Sequence, residues 1–323
     1  MAFWGKKKRL PPGLSCYGKL PATGDFIRLN AAGEENTTFD QWMGASLHHA
    51  KESLKENFDG CYGPALGGFI YRGRDSGGDE PERGMLGVWA SSRDSAGRRY
   101  PMIISTTYDY EEMLAVGPGL PVAAWPFYEP AYALCAGGRG MSVEAFLAQV
   151  QQLRPVAIEQ PEQALVGYRQ WIQTQPIRGF WETTLATTES RFGVVQSVLA
   201  TIEIFAGQER PNTSLALRFP LGAADLYAAS VWMDITLRLS GWRRTVLNAF
   251  WTPLHDLMVH IGPPGTATFR ELIVDGSDAD HVTDLCRPPT MEPAAAREAL
   301  AARGAAVDDL DQTIGTFLQR LSQ

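Results

Sequence analysis

The sequence predicts an α+β fold: a central, largely antiparallel sheet with flanking helices, followed by a second mixed α/β region. Three observations carry this. Apolar residues recur at helical spacing over residues 39–58. Residues 85–91 and 100–108 are rich in β-formers and flank the polar turn Asp94-Ser95-Ala96-Gly97, the pattern of a hairpin. In the C-terminal half, helix-like and strand-like segments follow in mixed order, unlike a regular βαβ series.

Each element has its own signal. Phe39, Trp42, Met43, Leu47, Ala50, Leu54 and Phe58 share a helix face, with Thr37 or Thr38 expected as N-cap and Gly60 as the stop. Residues 68–71 read as a short aromatic strand, and 72–81, glycine-rich and charged, as a flexible loop. Proline and glycine concentrate in 117–130. Ser142 is expected to cap a helix with Val143, Phe146, Leu147, Val150 and Leu153 on one face, stopped by Pro155. Residues 156–180 are less regular, which places the domain change there: a basic flexible tail over 1–14, an N-terminal α+β domain over 15–155, and a C-terminal α/β domain over 156–323. In that half, Phe192, Val195, Leu199 and Ile202 predict a helix over 191–205, and 214–219 alternates as a strand. A helix follows over 225–239, and a strand over 257–261 ends at Gly262-Pro263-Pro264-Gly265. Thr268 and Glu271 have capping-box spacing. Ile314, Phe317, Leu318 and Leu321 form one apolar face of a C-terminal helix.

Of the 323 residues, 45% are hydrophobic and 10% aromatic, ample for one or two packed cores and unlike a disordered chain. The net charge is −7; Lys6, Lys7, Lys8 and Arg9 form a basic tail, which leaves about −11 on the remainder. So acidic a body argues against a nucleic-acid partner, which needs a clustered basic face. Leu10-Pro11-Pro12-Gly13 breaks what would be the apolar core of an export signal, so none is expected. The uncharged stretch from Met113 to Tyr128 is shorter than a span and holds Pro118, Pro121 and Pro126, so no integral membrane span is expected. Cys16, Cys61, Cys135 and Cys286 are widely spaced and read as reduced thiols of a cytoplasmic chain.

Catalytic patterns are sparse. Asp75-Ser76-Gly77-Gly78 echoes the nucleophile segment of chymotrypsin-like proteases, but that chemistry needs a histidine base and an orienting carboxylate, and the run sits in a polar loop. Gly137-Gly138-Arg139-Gly140 precedes a helix yet lacks the lysine and Ser/Thr of a phosphate loop, and reads as a connector. His48, His49, His255, His260 and His281 have no metal-ligand spacing. No cofactor or metal is expected, and the chain is read as a non-enzyme.

The segment Tyr17-Gly18-Lys19-Leu20-Pro21-Ala22-Thr23-Gly24-Asp25-Phe26-Ile27-Arg28 resembles the opening signature of the TagF family, Gly-Lys-Leu-Pro-x-x-Gly-Asp-Phe followed by a basic residue. Phe39 and Trp42 match its next helix. Trp89, Asp94, Gly97, Arg98, Arg99, Tyr100 and Pro101 match a later block. Ala22-Thr23 and the long glycine-rich loop after Tyr71 depart from the pattern. The resemblance implies a post-translational negative regulator of a bacterial type VI secretion system. It would act on a forkhead-associated scaffold in a kinase/phosphatase pathway, in the cytoplasm and in association with the inner-membrane secretion complex. The alternatives are a structural adaptor of that complex and a serine hydrolase using Ser76. Candidate partner-binding residues are Lys19, Pro21, Asp25, Phe26, Arg28, Asp94, Arg98 and Tyr100. Physically, Lys19 and Leu20 must be extended before Pro21. Gly24 suits a positive-φ turn, Asp25 can accept from nearby amides, and Phe26 can anchor in the core. These residues read equally as structural or as a partner surface.

Overall fold

A computed structural model describes residues 13–73, 81–158, 160–208, 210–222, 225–252, 256–276, 279–289, 293–300 and 304–322. The basic tail up to Pro12, Ser76 with its Asp-Ser-Gly-Gly run, and His255 lie outside the described residues.

The fold is α+β, with one mostly antiparallel sheet between two helical layers. Its strands are β1 (Gly13–Lys19), β2 (Phe26–Leu29), β3 (Leu66–Tyr71), β4 (Arg83–Ala90), β5 (Met102–Asp109), β6 (Ala216–Pro220), β7 (Asn248–Trp251), β8 (Asp256–His260) and β9 (Val282–Asp284). Their spatial order is β2-β1-β5-β4-β3-β7-β8-β6-β9, and only β6–β9 is parallel. The hairpin read from sequence is present as β4–β5, eight residues in register from Arg83 opposite Asp109 to Ala90 opposite Met102. Gly97 supplies the left-handed residue of its turn at φ 81°.

The sheet runs unbroken across residue 155, because β3 pairs with β7 through Gly68–Trp251, Phe69–Phe250 and Ile70–Ala249. Asn248, fully buried, accepts from the Arg72 amide at 2.9 Å and donates to the Gly262 carbonyl at 3.1 Å.

Central strands alternate between two apolar layers. On one face Tyr17, Phe69, Met85, Trp89, Ile103 and Phe250 meet Phe39, Met43 and Leu47 of the helix Glu34–Leu54 and Phe269 of the helix Thr268–Ile273. On the other, Cys16, Leu86, Val88 and Ile104 join a larger core with Phe127, Phe146, Trp181, Val195, Trp232 and Phe317. With both faces covered, nearly every residue of β4 and β5 is buried.

Helix ends differ in detail from the sequence reading. The helix Glu34–Leu54 is capped by Gly33 without a side-chain bond. Thr37 and Thr38 instead lie inside it, donating back to the carbonyls of Gly33 and Glu34. It ends at Lys55, φ 47°, and Gly60 sits within the next short helix, Phe58–Tyr62. Ser142 does cap Val143–Val150, accepting from the Ala145 amide at 3.2 Å. The proline-rich stretch 117–130 is helical. Pro121 and Pro126 occupy first turns, where their missing N–H groups would have no partner, while Pro130 lies inside the helix Trp125–Gly137. Thr268 is no N-cap; Ala267 is, and the Thr268 hydroxyl lies 3.3 Å from His260 Nε2. The C-terminal helix Ile314–Leu321 buries all four predicted apolar residues.

Candidate functional site

The two motifs singled out by sequence meet at one end of the sheet. β1 ends at Lys19, and the chain turns through Leu20–Gly24 before returning as β2, with Lys19 opposite Phe26. The hairpin turn 94–97 packs on that bend: the Ser95 amide donates to the Thr23 carbonyl at 2.9 Å, and Arg98 Nη2 donates to the Gly24 carbonyl at 2.5 Å.

Asp94 organises the junction. Its Oδ2 accepts from Lys19 Nζ at 2.5 Å and from Arg98 Nε at 2.7 Å; its Oδ1 accepts from the Ala96 and Arg98 amides at 3.0 and 2.8 Å. The hydrogen bond from Lys19 foremost, with those from Arg98, holds the carboxyl well below the usual carboxylate range. Lys19 is 6% exposed, and its ammonium also lies 4.9 Å from the centre of the Phe26 ring.

Phe26 packs edge-on against Tyr100 at 4.9 Å. Tyr100 donates to the carboxylate of Asp40, which Arg28 reaches at 3.5 Å. Burial, first, and the neighbouring Tyr17 raise the Tyr100 phenol well above its ordinary value, so it stays a donor.

These contacts divide the candidates. Lys19, Asp94 and Tyr100 are buried and brace the bend. Asp25, Phe26, Arg28 and Arg98 face outward, with Phe26 42% exposed and the Arg98 side chain 64% exposed. Pro21 is half-buried and lines a neighbouring cavity. Two expectations are corrected. Phe26 is no core anchor: in the edge strand β2 the alternation turns Ile27 inward and Phe26 out. The left-handed glycine of the motif is Gly18 rather than Gly24. Gly18 sits at φ 141°, and a Cβ there would lie 2.2 Å from the Pro101 carbonyl oxygen. The expected acceptor role of Asp25 is not what fixes the turn; its own amide donates to Thr23 Oγ1 at 3.3 Å.

Two participants escaped the sequence reading. Asp40 collects Tyr100 and Arg28, yet nothing in the chain distinguishes it from other helix-surface carboxylates. The second is an open cavity of about 540 Å³ beside Pro21, bordered by Tyr62, Ser92, Arg93, Arg99 and Arg139. Of these, Arg99 fell within the later block and Arg139 within the glycine run that read as a connector.

Among the described residues no cluster of His, Cys, Asp and Glu is arranged to hold a metal ion, and no helix is long and apolar enough to cross a membrane. All four cysteines are unpaired; burial lifts the Cys16 thiol to about 12.

No curated protein matches the chain. One solved structure, PA0076 from Pseudomonas aeruginosa PAO1, is similar at 22% identity and a TM-score of 0.38, over 44% of this chain and 63% of that one. Residues 15–153, which include every candidate above, match the family model of the TagF N-terminal domain, type VI secretion system-associated. This region is therefore a TagF N-terminal domain, and the protein that carries it belongs with the type VI secretion system.

Proposed function

We propose that the protein is a non-enzymatic, post-translational negative regulator of a bacterial type VI secretion system. It holds a forkhead-associated scaffold or a related secretion component through the exposed side of the bend joining β1 and β2. The supporting observation is the outward display of Phe26 between Lys19 and Tyr100, flanked by Asp25, Arg28 and Arg98. An aromatic ring on a braced turn loses little freedom on binding, and aromatic and arginine side chains dominate binding energy at interfaces. In this reading the chain works in the cytoplasm, beside the inner-membrane secretion complex.

The test is capture of secretion components from a lysate of the source bacterium by the tagged full chain and by Phe26→Ala and Arg28→Glu. Recovery with the wild type and at least a tenfold loss in both variants, with unchanged circular dichroism, is the expected result. Equal recovery by all three chains, or none by the wild type, overturns the reading.

A further inference from the structure

The cavity beside Pro21 carries an inference that is independent of the proposed partner. Three arginines, Arg93, Arg99 and Arg139, line it together with one carboxylate residue, Asp59. Arg99 is paired with Asp59. Arg139 has only a neutral partner, Ser91 Oγ at 2.7 Å, and the Arg93 guanidinium has no partner among the described residues. The cavity thus holds an excess of two positive charges in a protein whose formal net charge is −7.

The walls are built before any ligand arrives. Ser91 Oγ accepts from Arg139 and donates to the Gly63 carbonyl at 2.7 Å. The Tyr62 hydroxyl donates to the Ser92 carbonyl and accepts from the Ser92 amide, both at 3.0 Å. Ser92 itself is 7% exposed, and its side-chain oxygen is buried with no hydrogen-bond partner.

We propose that this cavity binds a phosphate monoester. Two guanidinium groups free of carboxylate partners match the charge of a phosphate dianion, and their planar forks suit its terminal oxygens in bidentate fashion. A volume of about 540 Å³ exceeds the needs of a bare phosphate, and Pro21 with the Tyr62 ring gives an apolar wall for the carbon skeleton that bears it.

Isothermal titration calorimetry on the full chain tests this with five probes: inorganic phosphate, adenosine monophosphate, a short phosphoserine peptide, its unphosphorylated parent, and citrate as an anion without phosphorus. Saturable binding of a phosphorylated probe, at least tenfold weaker in Arg93→Gln/Arg139→Gln, is expected, with none for the parent peptide. Tightest binding by the nucleotide marks a small-molecule site, and tightest binding by the peptide marks a modified protein as the source; either supports the proposal. Should the double variant fail to fold, Arg93→Gln alone, at an exposed side chain, carries the comparison. No saturable heat from any phosphorylated probe, equal affinity in wild type and variants, or citrate binding as tightly as phosphate overturns it. Phe26→Ala retains phosphate binding if the two sites are separate, so failure of the partner reading leaves this one standing.

Discussion

The ammonium of Lys19 lies 2.5 Å from Oδ2 of Asp94, and that contact ties the last residue of β1 to the turn between β4 and β5. It joins two sequence motifs some seventy residues apart into one unit. Lys19→Met leaves Asp94 with Arg98 and two amides, so the charge is not abandoned. The expected cost is that of one hydrogen bond to a charged group, about 1.5–3 kcal/mol by urea unfolding.

Asp94 also sets a pH dependence. Its folded carboxyl is held below the ordinary 3.8 by Lys19 above all, whereas in the unfolded chain it returns there. The unfolded state therefore takes up protons first as pH falls, so the stabilisation is complete above about pH 4 and is lost beneath it. Compared with Asp94→Asn, the wild type should hold a constant advantage from pH 7 to pH 5 that narrows between pH 4 and pH 3. An advantage that ignores pH over this range would show that the carboxylate charge contributes nothing.

Gly18 is the glycine that the first motif cannot exchange. At φ 141° an added Cβ would meet not only the Pro101 oxygen but also Met102 Cα at 2.7 Å, both backbone atoms where β5 begins. Gly18→Ala should cost more than the roughly 1 kcal/mol of an ordinary glycine exchange, since backbone must move to admit the methyl group. Thermal unfolding of Gly18→Ala beside Gly24→Ala measures this, and the second change should be the milder, because a Cβ at Gly24 meets only Ser95 Oγ at 3.5 Å.

What could be read from sequence follows from period, composition and turns. The helix Thr188–Glu203 keeps a helical period, β6 alternates, the β4–β5 hairpin shows β-forming residues around a polar turn, and β8 is an apolar run stopped by Gly262-Pro263-Pro264-Gly265. β1 has none of these: five consecutive residues from Ser15 to Lys19 are buried, so alternation disappears, and its composition is mixed. β7 is four residues long, and the helices between 110 and 137 hide behind prolines that sit mostly in first turns. The motif residues were visible, but their roles were not. Whether Phe26 faces in or out is decided by the register of β2 on β1, and Asp40 joins the site only through the packing of its helix.

Asn248 closes hydrogen bonds that no strand partner supplies, to the Arg72 amide and the Gly262 carbonyl. Asn248→Ala removes both bonds at buried backbone groups, with an expected cost of about 2–4 kcal/mol from two such losses. Asn248→Asp, which keeps the acceptor for Arg72 but cannot donate to Gly262, separates the two. If the alanine variant unfolds at the same urea concentration as wild type, these bonds are not what seats β7 against β3.

Cutting the chain after residue 155 asks whether the matched region folds without the rest. The cut removes β7 and leaves β3 as an edge, with Gly68, Phe69 and Ile70 stripped of their strand partner. It also uncovers the layer where Phe250 packs on Trp42 at 5.0 Å and Phe269 on Trp89 at 5.1 Å, and it takes away the Gly265 carbonyl to which Trp42 Nε1 donates. An unpaired edge beside exposed aromatic rings invites association with another chain. Residues 1–155 alone are therefore expected to form soluble aggregates or inclusion bodies, as read by size-exclusion chromatography with light scattering. A monomer that unfolds cooperatively would instead show that the N-terminal region holds its own core, and that the pairing of β3 with β7 docks two units that fold separately.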